Sequence, residues 1–203
     1  MRNLREQFGL RLIGLGLHKI HLSGVAVVVG QDLSVVFRRY QPSDYAQVVA
    51  LWSRINRELA PAGKEELFEQ YIAATISGEL VHLSEVFSEA KRNAFWVVDR
   101  QGAVVGCFGI ESQSEINTEL RRMYLDPEFR RAGIGKRMLE CAEEQARSLG
   151  FRKMLVSTAE IQRAADRFYR RSGFREVRME VAQTMSTKQA GGGLTRFYFE
   201  KEL

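Results

Sequence analysis

The run Arg130-Arg131-Ala132-Gly133-Ile134-Gly135-Lys136 holds the residue types a phosphate cradle needs. It follows a predicted strand and opens a predicted helix. Glycines there let the backbone approach a ligand with no Cβ in the way. A helix start leaves N–H groups unpaired at the positive end of its dipole, and flanking Arg and Lys add charge. Taken by itself, the same run is also a plain tight turn. Two phosphate motifs fail outright. A Walker loop needs Gly at 130 and Ser or Thr at 137, and both positions are Arg. A dinucleotide fingerprint needs a third glycine at 138, where Met138 stands.

Other chemistries are poorly provided for. The two cysteines, Cys107 and Cys141, exclude a disulfide framework and a multi-Cys zinc site. Both fall in apolar runs without a neighbouring base, which speaks against a cysteine nucleophile. The three histidines, His18, His21 and His82, lack a second ligand at metal spacing, so no metal is expected. With 203 residues, 30 Lys+Arg against 25 Asp+Glu and 45% hydrophobic residues, the chain is an ordinary globular one rather than a disordered one. No apolar run reaches the roughly 18 residues of a membrane helix. The net charge of +5 is uneven. Arg121, Arg122, Arg130, Arg131, Lys136 and Arg137 share residues 121–137 with only Asp126 and Glu128 as acids. Such a cluster suits phosphates or plain water.

The elements that must position these groups can be read from periodicity. Residues 1–33 form an N-terminal extension, basic and interrupted by His18, Lys19 and His21 where a secretory signal would be unbroken. It is expected to be poorly ordered or to lie upstream of the natural start. A single domain then spans 34–203. Ser34–Arg39 reads as a strand, and Val48, Leu51, Trp52, Ile55 and Leu59 recur at helical spacing after Pro42-Ser43-Asp44. Glu65–Ser77 is a second helix, whereas 81–92 fits a helix or a loop equally. Ala94–Val98 and Ala103–Glu111 form a hairpin about Asp99–Gly102. Glu119–Leu125 is a strand ended by Asp126-Pro127. A helix follows the glycines with Ile134, Met138, Cys141, Ala142, Gln145 and Leu149 on one face. Met154–Ser157 is a strand, Ile161–Ser172 a helix, and strands near 174–182 and 195–202 finish the chain. This order predicts an α/β domain with a mostly antiparallel sheet and one strand–helix–strand crossover.

The pattern R-x-x-G-x-G after Met123-Tyr124-Leu125-Asp126-Pro127 resembles the coenzyme A pyrophosphate loop of the GNAT superfamily of acetyl-CoA-dependent N-acetyltransferases. A second block agrees: Ala165-Asp166-Arg167-Phe168-Tyr169 and then Ser172-Gly173-Phe174 is similar to that family's A-x-x-F-Y…G-F signature. The resemblance implies a twisted sheet with helices on both faces and a splayed central strand pair. It implies that the Met123-Tyr124-Leu125 backbone holds the pantetheine arm, and that Arg130, Arg131, Ala132, Gly133, Ile134, Gly135 and Lys136 receive the pyrophosphate. Gln162 stands where an Asn commonly begins the helix motif. Tyr169 takes the position that protonates the departing thiolate, a role suited to a phenol with a pKa near 10. The competing reading of Tyr169 is core filler beside Ile161, Ala164, Ala165 and Phe168. Glu119 occupies the position of the family's base in members with small substrates, with Glu111 second. Both are equally read as partners of Arg121 or Arg122. Ser157 replaces the later-strand Glu of other members.

The resemblance implies a cytoplasmic enzyme that passes an acetyl group from acetyl-CoA, with no metal, directly to a small-molecule or amino-acid amine. It leaves room for a homodimer and asks for neither nucleic acid nor membrane. Two alternatives remain beside it: a non-catalytic acyl-CoA sensor, and a nucleic-acid-binding module built on the 121–137 cluster. The latter would want aromatics interleaved with the basic residues, and only Tyr124 and Phe129 are near.

Overall fold

A computed structural model of the chain describes residues 34–203, together with the backbone of two short strands, β1 (His21–Leu22) and β2 (Val25–Val28). Otherwise the expectation for 1–33 lies outside the described residues. The remaining elements are β3 (Val35–Arg39), α1 (Tyr45–Leu59), α2 (Glu65–Gly78), α3 (Leu83–Val86), β4 (Ala94–Arg100), β5 (Ala103–Ser112), β6 (Asn117–Leu125), α4 (Ile134–Ser148), β7 (Lys153–Ala159), α5 (Arg163–Arg171), β8 (Arg175–Ala182) and β9 (Leu194–Glu202). The strands form one sheet in the order β1-β2-β3-β4-β5-β6-β7-β9-β8. Among the described pairings only β6 with β7 is parallel, and α4 is its crossover. None of the described helices is long and apolar enough to cross a membrane.

Both faces of the sheet are covered, which explains the unbroken apolar run at Ala94–Val98. Trp96 and Val98 turn to a core shared with Met138 and Ala142 of α4 and Tyr169 of α5. Phe95 and Val97 turn to the other face, against Leu51, Trp52 and Ile55 of α1 and Phe68 and Ile72 of α2. The β4–β5 hairpin closes through Gln101 and Gly102, both at positive φ (53° and 89°), as a two-residue primed turn requires. Ala60, extended before Pro61, ends α1.

The ambiguous stretch 81–92 is neither a full helix nor a plain loop. A single turn, α3, lies between 3₁₀ turns at Leu80–His82 and Glu89–Lys91. Long-range contacts hold it. Leu80, Leu83 and Phe87 are buried, and the Asn93 carboxamide donates to the Val86 carbonyl (2.7 Å) while accepting from the Ser112 amide (2.6 Å).

The sheet is broken at its centre. β6 and β7 pair only over Asn117–Glu119 with Lys153–Leu155. Beyond that, β6 stays with β5 and β7 with β9, so the two central strands diverge. The divergence coincides with a bulge in β6. Cys107 pairs with Tyr124 but Gly109 with Arg121, leaving Arg122 and Met123 opposite Phe108 alone. Arg122 takes φ 53° to accommodate it.

Candidate active site

The cradle is built by the chain leaving β6. Asp126 accepts from the Glu128 amide (3.1 Å), starting a 3₁₀ turn over Pro127–Phe129, and buried Phe129 anchors that turn. Arg130 folds back, its Nε donating to the Leu125 carbonyl (3.0 Å). The backbone then passes through positive φ at Arg131 (65°) and Gly133 (78°) before α4 begins. The Arg137 amide bonds to the Gly133 carbonyl (3.2 Å) as the helix starts. Ile134, Gly135 and Lys136 are thus first-turn residues whose amides have no helical partner. A Cβ placed on Gly133 would meet nothing within 4 Å. Space outside an exposed helix start, with amides facing it, fits a phosphate group.

The gap between β6 and β7 leads away from this cradle. The Asp126 amide donates to the Val105 carbonyl of β5 (2.9 Å), so by alternation the Leu125 amide and carbonyl turn the other way, toward the gap. Deeper in lies a cavity of about 110 Å³, lined by Met123, Tyr124, Gln162 and Tyr169 among others. Tyr169 is 6% exposed and packed by Phe168, Phe174 and Phe199. Its hydroxyl lies 4.0 Å from the Met123 Sδ. Burial, and then Tyr124 beside it, push its pKa above the ordinary phenol value. Tyr169 therefore belongs to the core and also reaches the cavity.

The two carboxylates separate. Glu119 lines the cavity, its side chain 12% exposed, with Oε2 2.7 Å from Nζ of Lys188 and 3.9 Å from Nη1 of Arg121. Glu111 does not line it; its carboxylate binds Arg121. Arg121 and Arg122 do not belong to a surface cluster. Both are buried around Glu79, with Arg121 Nη2 2.9 Å and Arg122 Nη2 2.8 Å from its carboxylate oxygens. Burial pulls the Glu79 pKa up, but Arg122 and Arg121 outweigh it and hold the carboxyl below its usual range. The far wall comes from residues that spacing alone did not mark: Asn56 of α1, Tyr71 of α2, and Lys188 in the β8–β9 loop. Arg196 of β9 donates to the Ser157 hydroxyl (2.6 Å) on that wall.

Residues 54–174, more than half of the chain, match the acetyltransferase (GNAT) family. The chain belongs to that family. Relatives of this GNAT protein include camello of Xenopus tropicalis, named as a probable N-acetyltransferase, at 27% identity over 68% of this chain and 64% of the relative. The IAA acetyltransferase of Azospirillum brasilense is 36% identical over 54% of this chain and 72% of its own length. The chain thus spans just under two thirds of the first and rather more of the second. In fold it resembles the PaiA N-acetyltransferase of Thermoplasma acidophilum, solved in complex with coenzyme A. That likeness has a TM-score of 0.67 at 22% identity and covers 84% of this chain and all of the other.

One position of the GNAT signature looks different once placed. The Gln162 Oε1 accepts from the Thr158 hydroxyl (2.9 Å) and the Ala159 amide (3.0 Å), so this end of the side chain ties α5 to β7. Both cysteines carry thiols pushed up by burial, Cys107 to about 12 and Cys141 to about 11, unsuited to forming a thiolate. Among the described residues no group of His, Cys, Asp or Glu has a metal-holding arrangement.

Proposed function

We propose that the chain is an acetyl-CoA-dependent N-acetyltransferase acting directly on the amine of a small molecule or amino acid. The observation that carries this is one continuous feature: the diverging β6–β7 pair runs from an anion-suited helix start to a cavity holding a buried phenol and a carboxylate. Acetyl-CoA would bring the acetyl group as a thioester, already activated toward an amine.

The chain's own residues divide the work. Amides of 131–136 hold the pyrophosphate, with Arg130, Arg131 and Lys136 adding charge. The backbone of Met123–Leu125, with the Leu125 amide and carbonyl turned to the gap, holds the pantetheine arm. Tyr169, kept neutral by burial, gives its proton to the sulfur as the thiolate leaves. Glu119, on the cavity wall, takes the proton of the acceptor amine, directly or through water. Glu111 supports this at one remove by fixing Arg121. The small volume of the cavity, about 110 Å³ and lined in part by the β8–β9 loop, favours a small acceptor over a protein or nucleic acid, and burial of Arg121 and Arg122 dissolves the basic stripe a nucleic acid would need. With this reading go a cytoplasmic location, no metal, and a homodimer as the assembly to look for.

The test is an amine panel offered with acetyl-CoA and read by release of free thiol. Turnover on at least one small primary amine is the expected result. Tight acetyl-CoA binding with no thiol release across the panel would favour the non-catalytic sensor.

A further inference from the structure

The β8–β9 loop is pinned where it crosses the cavity. Arg122 Nη2 donates to the Thr187 carbonyl (2.7 Å), and Arg196 Nη1 to the Lys188 carbonyl (2.5 Å). The Lys188 amide donates to the Ser186 hydroxyl (3.2 Å). With its backbone fixed on both sides, Lys188 sends its side chain to Glu119, Nζ to Oε2 2.7 Å. Lys188, Glu119 and Tyr169 line one small cavity. A primary amine of this chain therefore sits against the carboxylate assigned to deprotonate the acceptor, in the space where an acceptor amine would have to sit. We propose that Lys188 is an acceptor in its own right, acetylated within the same molecule when acetyl-CoA is bound and no external amine is present.

The chemistry balances with the groups at hand. Glu119 removes one ammonium proton, and Nζ then forms a C–N bond to the acetyl carbonyl carbon as the C–S bond breaks. Of the three ammonium protons, one stays on the amide nitrogen, one ends on the coenzyme A thiol by way of Tyr169, and one passes through Glu119 to water. The product lysine is neutral and cannot pair with Glu119. Modification thus removes one of the ties between the loop and β6, and fills the acceptor position with an amide. Lys188 would serve as a lock on the acceptor site that external amines compete against.

This inference rests on the acetyl-transfer reading, and the experiment keeps the two apart. The full chain is incubated with acetyl-CoA and no added amine, and peptide mass spectrometry follows acetylation of Lys188 against exposed Lys91, a measure of uncatalysed surface chemistry. Lys188 should be modified at least about 100-fold faster than Lys91, the lower range of general acid–base assistance. The half-life should not change on dilution of the protein, and Glu119→Gln should slow the step by on the order of tenfold or more. Lys188→Arg keeps the charge and should leave no fast-labelled lysine. Modification no faster than at Lys91, a rate proportional to protein concentration, or fast labelling surviving in Lys188→Arg each overturn the proposal. If the same preparation binds acetyl-CoA and acetylates an added amine while Lys188 stays unmodified, only the lock is wrong. If it does not bind acetyl-CoA, the acetyl-transfer reading falls and the lock with it.

Discussion

Burial sets what each titratable side chain near the gap can do. Burial raises the Tyr169 pKa above that of an exposed phenol, which favours the protonated form a general acid needs. Glu119 is poised differently, against a lysine at the cavity wall. Its replacement by Gln should lower kcat/KM by about 10²–10⁴, and a wild-type kcat/KM in Glu119→Gln would assign the base elsewhere. Cys107 yields a stability prediction. Burial raises its folded pKa from about 9 to about 12, so folding favours the neutral thiol. That contribution is complete below the unfolded value and is lost as pH rises from about 9 toward 12. Denaturant midpoints measured across this window should fall less steeply in Cys107→Ala than in the wild type, and parallel curves would contradict the assignment. The sequence showed Tyr169 and Glu119 as candidates because each sits at a fixed offset from a local motif. It did not show Lys188 beside Glu119, since 69 residues separate them and only the folded loop brings them together.

Two glycines, one at the start of α4 and one within β5, make opposite demands. At Gly133 an added side chain points into open space at the helix start, so Gly133→Asp tests ligand binding more than packing. Its carboxylate at the pyrophosphate position should abolish measurable acetyl-CoA binding by calorimetry, with modest strain from φ 78°. Unchanged affinity would exclude the cradle as the pyrophosphate site. At Gly109 an added Cβ would lie 2.7 Å from Phe95 Cδ2 and 2.9 Å from the Ala94 carbonyl oxygen. Gly109→Ala should cost about 1–3 kcal/mol through overpacking. Thermal unfolding should shift down by about 2–4 °C per kcal/mol, and no shift would mean the strands simply part. The cradle was legible in the sequence because glycines, helix start and charge are neighbours in the chain. The bulge at Arg122–Met123 was not, because it exists only against the partner strand β5. The 81–92 segment was undecided for the same reason: buried Leu80, Leu83 and Phe87 and the Asn93 bonds hold it, and helical period does not.

Across the whole molecule, a buried ionic knot joins the layers. Glu79 follows α2, Arg121 and Arg122 belong to β6, and Thr187 belongs to the closing loop, so one carboxylate organises three walls of the acceptor side. Sequence reading placed both arginines in an exposed basic run; their burial beside Glu79, 42 and 43 residues away, could not be seen in spacing. Glu79→Gln would leave two buried guanidiniums undercompensated and should destabilise the fold by about 3–5 kcal/mol, read as a fall in thermal midpoint. A change below about 1 kcal/mol would show that Glu111 alone suffices. Because the Glu79 pKa is depressed by folding, its contribution is present above the unfolded carboxyl value and fades as pH falls through the folded one. The mostly antiparallel sheet and its single parallel crossover followed from element order, whereas the two covered faces were implied by the family resemblance and the strand order was not read at all. All of this architecture converges on the hydroxyl of one tyrosine at the divergence of β6 and β7. The most direct test is the single-turnover rate of acetyl transfer with acetyl-CoA already bound, wild type against Tyr169→Phe. Loss of at least about 100-fold with unchanged acetyl-CoA affinity is the predicted result, and an unchanged chemical step would return Tyr169 to the core and contradict the mechanism.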